Sequence, residues 1–384
     1  MTHSMTAAVL HETGAPLRVT PISRPTPGHR EVLVRIAAAG TNPLDAKIQA
    51  GQAAHAKHPA PAILGLDMAG TVEVVGPGVT RFRPGDEVYG MVGGVGGHPG
   101  TLAEYVSADE DLLAAKPANL SMREAAVLPL VTITAWEGLV DRVGIRQGQT
   151  LLVLGGAGGV GHIVVQLGLA FGATVHATGS AESRPVIERL GATFIDRHEP
   201  IAEAVGRVTG GRGFDVVYDT VGALDVAFAA VARFGHVTSS LGWGTHPLAP
   251  LSFKGGTYSG VFTLLPLIEG EGRRHHGEIL EKAAQMVEAG KLTPLLDPRR
   301  FALEDVGAAY DALKKGGAQA RLRSTSGRRE LARPITAAQV SLANGNAKVS
   351  RDESLVPRPL RPPCRQSRSR PLRHRRPGDT RDVR

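Results

Sequence analysis

A single cysteine, Cys364, occurs in 384 residues. Internal disulfides, thiolate zinc sites, iron–sulfur clusters and a cysteine nucleophile in the body of the chain are therefore excluded. A reducing compartment, the cytoplasm, is the matching environment. No basic segment followed by an apolar one lies between Met1 and Gly14, so no signal peptide is read there. Charge is absent from Gln149 to Ala181, yet Gly155, Gly156, Gly158, Gly159 and Gly161 interrupt that stretch and it contains His162 and Gln166. A buried strand, turn and helix explain it better than a membrane span.

The formal charge of +8 is unevenly placed. Of the 44 Lys and Arg residues 17 fall in 321–384, with 5 of the 36 Asp and Glu, a net of +12. Residues 1–320 carry the other 27 and 31, a net of −4. The body of the chain thus has no claim to bind polyanions. The last 64 residues contain seven prolines and no Phe, Trp or Tyr, so a disordered basic C-terminal tail is expected. Such a tail could touch RNA phosphates, but it lacks rings for base stacking, and nucleic acid is not the expected partner.

Up to about residue 125 short Val- and Ala-rich runs alternate with Pro and Gly, as in Val75-Gly-Pro-Gly78 and Arg83-Pro-Gly-Asp86, the pattern of strands and turns. Ser121 with Glu124 three residues on forms a capping box, and a helix is expected at about Val131–Val143. Strands at Thr150–Leu154, Thr174–Thr178, Phe214–Asp219 and His236–Leu241 then alternate with helices, which predicts an α/β parallel sheet. Amphipathic helices are read at Glu278–Ala289, stopped by Gly290, and at Glu304–Lys315.

The sharpest motif is Leu151-Leu-Val-Leu-Gly-Gly-Ala-Gly-Gly-Val-Gly161, in which Gly156, Gly158 and Gly161 satisfy G-x-G-x-x-G between a buried strand and a helix. In that context glycines let the backbone approach a pyrophosphate and the helix N-terminus binds its charge. Gly156, Ala157, Gly158, Gly159, Val160 and Gly161 are the candidate cofactor cradle. A carboxylate for the ribose 2′-OH should lie about 20 residues on. That place, His176 to Ser180, holds none. Thr178, Gly179, Ser180 and Arg184 offer room and donors for a 2′-phosphate, so NADP(H) is favoured; Arg184 reads equally well as a solvated first-turn residue, and Glu182 would repel a phosphate if it pointed inward.

Gly40-Thr-Asn-Pro-Leu-Asp45, Leu64-Gly-Leu-Asp-Met-Ala-Gly70, Phe82-Arg-Pro-Gly-Asp-Glu-Val-Tyr-Gly90, Ala125-Ala-Val-Leu-Pro129, Thr134-Ala-Trp-Glu-Gly138 and the glycine turn follow one another in order. Over Met5 to Ala318 the chain resembles the medium-chain dehydrogenase/reductase superfamily, and within it the zinc-independent quinone oxidoreductases related to zeta-crystallin. The resemblance implies a GroES-like β-barrel catalytic domain begun by residues 1–125 and completed by 266–320. It implies a Rossmann doubly wound parallel sheet at 126–265, an active site in the cleft between them, and a homodimer. Aligned on these motifs, the zinc-ligand positions of metal-dependent relatives hold Asn42, Leu66 and Leu130. Two leucines offer no donor atom, so no metal is expected. His55, His58, His98, His275 and His276 read as surface residues in polar, loop-like stretches.

Without a Lewis acid, an acceptor that needs little activation is implied: a quinone or an α,β-unsaturated carbonyl. Asn42 resembles the family's active-site asparagine; an Asn-Pro turn residue is its plain alternative. Asp45 and Lys47 follow it as candidate proton relays or as a structural salt link. Thr134 resembles the threonine that supports the nicotinamide, and Phe262 the contact region at its carboxamide, while Trp243 reads as core. Alcohol or aldehyde dehydrogenation, and RNA binding through the tail, are the competing functions. At Gln319-Ala-Arg-Leu-Arg323 the chain departs from the family's Gly-Lys-x-Val-Leu closing strand. An altered reading frame or a sequence error near Ala318 is expected, which would leave the catalytic domain without that strand; a natural extension is the alternative.

Overall fold

The structure, a computed structural model, describes residues 4–314 and 321–323. The expectations for the basic tail lie outside those residues. The first eight strands are β1 (Ser4–Leu10), β2 (Arg18–Ser23), β3 (Glu31–Gly40), β4 (Ala62–Ile63), β5 (Asp67–Val75), β6 (Glu87–Met91), β7 (Tyr105–Asp109) and β8 (Leu113–Ala115). They build the GroES-like part. Apolar residues along β3 and β5 face inward, with Val32, Val34, Ile36, Met68 and Val72 all buried, and the two strands pair antiparallel along most of their lengths. Helix Pro43–Gln49 follows β3 directly, with Pro43 at its first turn, where a missing N–H costs nothing.

Six parallel strands form the second sheet: β9 (Thr150–Leu154), β10 (Thr174–Gly179), β11 (Thr193–Asp196), β12 (Phe214–Asp219), β13 (Val231–Ser239) and β14 (Thr257–Gly260). Their order, β11-β10-β9-β12-β13-β14, reverses direction at β9, the arrangement that opens a crevice at the strand C-termini. Leu151, Leu152, Val153 and Leu154 of β9 are all buried, as expected of a central strand covered on both faces. Among the described residues no helix is long and apolar enough to cross a membrane.

Three readings need correction. The helix expected at Val131–Val143 is α-helical only over Pro129–Trp136 and widens into a π-helical turn at Glu137–Arg142. The Tyr218 hydroxyl donates to the Thr134 carbonyl (2.7 Å) at that point, and an outside donor on a helix carbonyl accompanies such a widening. The helix expected from Glu278 begins at Arg273, so His275 and His276 are helical; His276 is buried against Glu137, Nε2 to Oε1 3.2 Å. Lastly, a closing strand is present. Strand β16 (Arg321–Arg323) runs antiparallel to β3, Leu322 opposite Ala39, and parallel to β15 (Phe301–Ala302). A backbone ladder needs extended residues rather than one particular sequence, so Arg-Leu-Arg serves.

Candidate active site

A cavity of about 760 Å³ runs from the C-terminal ends of β9 and β10 to the start of helix Pro43–Gln49. At its Rossmann end the three motif glycines do different work. A Cβ on Gly161 would stand 2.0 Å from the Gly155 carbonyl oxygen, so the turn closes only without a side chain there. Gly156 packs against Ala177 of β10 in the same way, with a Cβ at 2.4 Å. A Cβ on Gly158 would meet only the Gly155 oxygen, at 3.2 Å, and Gly158 lines the cavity. The cavity-facing turn residues are Gly155, Ala157, Gly158, Gly159 and Val160, and helix Gly159–Ala170 points its N-terminus there. Thr178 fixes the turn: its Oγ1 accepts from Gly155 N–H (3.1 Å) and its carbonyl from Gly156 N–H (3.0 Å). This cradle fits a dinucleotide pyrophosphate, because free backbone donors and an open glycine face occupy the same spot.

Beyond the turn Thr178, Gly179 and Ser180 line the cavity as expected, joined by Ser183 and Arg197. Arg184 does not. Its guanidinium pairs with Glu188 at 2.8 Å, one turn along the same helix, and lies over the Phe194 ring at 5.4 Å. Glu182 is outside the lining too; a hydrogen bond from the Ser180 side chain and one from its own backbone N–H hold its carboxyl below the usual range. The cavity arginine was missed because β11, which ends at Asp196, was not read as a strand. In a parallel sheet the residue after a strand's C-terminus faces the crevice, and Arg197 is that residue.

At the other end Asn42, N-cap of helix Pro43–Gln49, lines the cavity while itself 3% exposed. Its Nδ2 donates to Asp67 Oδ2 (3.0 Å), and Asp67 Oδ1 accepts from Leu130 N–H (3.0 Å). One buried carboxylate therefore ties together Asn42 and the first turn of helix Pro129–Trp136, where the helix dipole favours negative charge. Asp45 does not reach the cavity. It is fully buried, Oδ2 accepting from Asn42 N–H at 2.7 Å, and burial pushes its carboxyl well above the usual range. A group so placed caps its helix and orients Asn42 rather than relaying protons to the cleft. Lys47 is exposed, lines the cavity and has no ion-pair partner among the described residues. Thr134 donates to the Leu130 carbonyl (2.7 Å) and meets the Thr263 hydroxyl (2.9 Å); both threonines line the cavity with Phe262. Trp243 is not core: it is 59% exposed and lines the cavity, as does His55.

Residues 28–118 match the alcohol dehydrogenase GroES-like domain, and residues 190–322 the zinc-binding dehydrogenase family. The 2-methylene-furan-3-one reductase of Solanum lycopersicum is 37% identical over 300 residues, 76% of this chain and 71% of that protein. The chain belongs to the medium-chain dehydrogenase/reductase superfamily. Another member, the chloroplastic NADPH-dependent alkenal/one oxidoreductase of Arabidopsis thaliana, is 35% identical over 76% of this chain and 71% of its own length. An alcohol dehydrogenase superfamily protein from Novosphingobium aromaticivorans, known by crystal structure, superposes with a TM-score of 0.82 at 52% identity, over 83% of this chain and 99% of that one.

Zinc, which one matched family carries in its description, does not fit the residues here. Leu66 is buried in apolar surroundings and Leu130 presents an alkyl chain to the cavity. Among the described residues no three His, Cys, Asp or Glu side chains gather where a metal could be held. The Asp67 carboxylate that could have served a metal is committed to the Asn42 amide and the Leu130 N–H.

Proposed function

We propose that the protein is a zinc-independent, NADPH-dependent reductase of α,β-unsaturated carbonyls or quinones. The observation that carries this reading is one continuous cavity that joins the glycine cradle to the Asn42–Asp67 pair, with leucines at the metal positions. Relatives named as an alkenal/one oxidoreductase and a furanone reductase support it. When bound, NADPH supplies the hydride. The chain's own residues do the rest. Thr134 and Thr263 offer paired hydroxyls beside the cofactor cradle. Asn42, held by Asp67, sets one wall of the acceptor site. Lys47 brings an unpaired ammonium to the cavity, where it stabilises the negative charge that collects on the acceptor oxygen as hydride arrives.

Ser180, Ser183 and Arg197 form the proposed 2′-phosphate subsite. NADPH oxidation is expected with enones and quinones in the presence of chelator, and much more weakly with NADH. Arg197→Ala should raise the NADPH Kd about ten- to a hundredfold, the range for one charge-assisted hydrogen bond, and leave the NADH Kd nearly unchanged. Equal losses for both nucleotides would remove Arg197 from the subsite. Loss of turnover in chelator would refute zinc independence.

A homodimer is the second part of the proposal. Among the described residues strand β14 is the sheet edge, and Phe234 in the neighbouring β13 and Phe253, four residues before β14, are 87% and 88% exposed. An unpaired edge flanked by apolar rings favours association with a second copy. Sedimentation should give twice the chain mass for the native protein and the single mass for Phe253→Glu; one-chain mass for the native protein would dismiss the dimer.

A further inference from the structure

Three rings meet in the wall of the cavity. His55 lies in the short turn Ala54–Ala56 of the GroES-like part; Trp243 and Phe262 follow β13 and β14 of the Rossmann sheet. The His55 and Trp243 rings are stacked, centroids 5.1 Å apart and planes 22° from parallel. Phe262 stands edge-on to the indole at 5.8 Å and 86°. All three line the cavity, and His55 and Trp243 are also exposed. The stack therefore borders bulk water on one side and shares the cavity with Asn42 and Lys47.

What holds the stack is as informative as where it lies. Among the described residues neither the His55 nor the Trp243 side chain makes a hydrogen bond or an ion pair; ring contacts are their attachments. The ion pair nearest in sequence to His55 is Lys57 to Glu269 at 3.1 Å, both ends more than half exposed, a kind of pair that contributes little. Moving His55 aside thus breaks no polar interaction, but it uncovers the broad face of an indole. A flexible alkyl chain covers that face poorly. A flat conjugated ring restores the contact that His55 gave, while Phe262 stays at the edge.

We propose that Trp243 selects flat, ring-bearing conjugated carbonyl acceptors by exchanging its stack on His55 for a stack on the acceptor. This rests on the reductase reading and names the acceptor class within it. Its test compares benzalacetone with the straight-chain methyl alkenyl ketone of equal carbon count. Calorimetric titration into protein loaded with NADP⁺ reads binding without turnover. Benzalacetone is expected to bind about tenfold more tightly to the native protein, with the difference gone in Trp243→Ala and largely restored in Trp243→Phe. In NADPH-driven turnover the same variants should shift KM for benzalacetone and leave kcat nearly unmoved, which separates stacking from general damage. Trp243 is exposed and in a loop, so both variants should fold. Equal binding of the two ketones to the native protein, or a preference that survives Trp243→Ala, would overturn the proposal. Absence of NADPH oxidation with either ketone would instead sink the reductase reading, while the titration still decides whether Trp243 selects the ring.

Discussion

Gly158→Val should fold and lose its cofactor, whereas Gly161→Ala should damage the fold itself. The two glycines are three residues apart in one motif, and their surroundings differ. A Cβ at Gly158 meets one oxygen at 3.2 Å and otherwise projects into the cavity that would hold the pyrophosphate. Valine there leaves the apo protein's melting temperature within a few degrees and weakens NADPH by at least about a hundredfold, since the backbone donors can no longer be approached. A Cβ at Gly161 would stand 2.0 Å from the Gly155 oxygen and 2.8 Å from its carbon, both backbone atoms that cannot swing away. The turn must open to relieve this, at a cost of about 3 kcal/mol or more, at the upper end of overpacking. Melting curves and nucleotide titrations on both variants separate the cases. A Gly158→Val protein that binds NADPH normally would show that the cradle is elsewhere.

Asp67→Ala should be the most damaging single change away from the glycine turn. It deprives two buried donors, Asn42 Nδ2 and Leu130 N–H, of their acceptor at once. Each unsatisfied buried donor costs about 1–3 kcal/mol, so a loss of about 2–6 kcal/mol is expected if water does not fill the gap. Asp67→Asn keeps an oxygen for one donor and should lose less. Because Asn42 is then free to turn, kcat with an enone should fall more than NADPH affinity does. Chemical denaturation gives the first effect and steady-state kinetics the second. An Asp67→Ala protein with native stability and native kcat would show that the pairing is incidental.

The strand, glycine turn and helix of 150–170 were legible because three signals coincide there: a charge-free apolar run, glycines at the required spacing, and helical periodicity after them. The ordered motifs placed Asn42 in the same way. What escaped was whatever depends on how the two parts meet. Nothing in the sequence around His55 or Trp243 says that their rings stack, because their partners lie far off in the chain and the contact follows from the sheet order. Arg184 and Arg197 are both arginines near the end of a β–α unit. The first found a carboxylate one helical turn away, and the second was carried to the crevice by a four-residue strand too short to register as a period. Asp45 illustrates a different limit. Its position beside Asn42 suggested chemistry, but a residue third in a helix that begins Asn-Pro turns back to its own cap.

The pairing of β16 with β3 also governs when this protein can finish folding. Strands β1 to β8 are complete by Ala115, yet the Gly40 end of β3 waits for Arg321 and Leu322 to arrive. Roughly 200 residues of synthesis lie between, on the order of ten to forty seconds at usual elongation rates. Throughout that interval the nascent chain carries a part-finished sheet with a vacant strand position at its margin, while the Rossmann sheet is being made. The last pairing is then an encounter between segments some 280 residues apart, a slow closure of high sequence separation. Chaperone demand and sensitivity to premature termination should both concentrate in that late step, since a chain released before Leu322 keeps its catalytic residues but leaves the margin open.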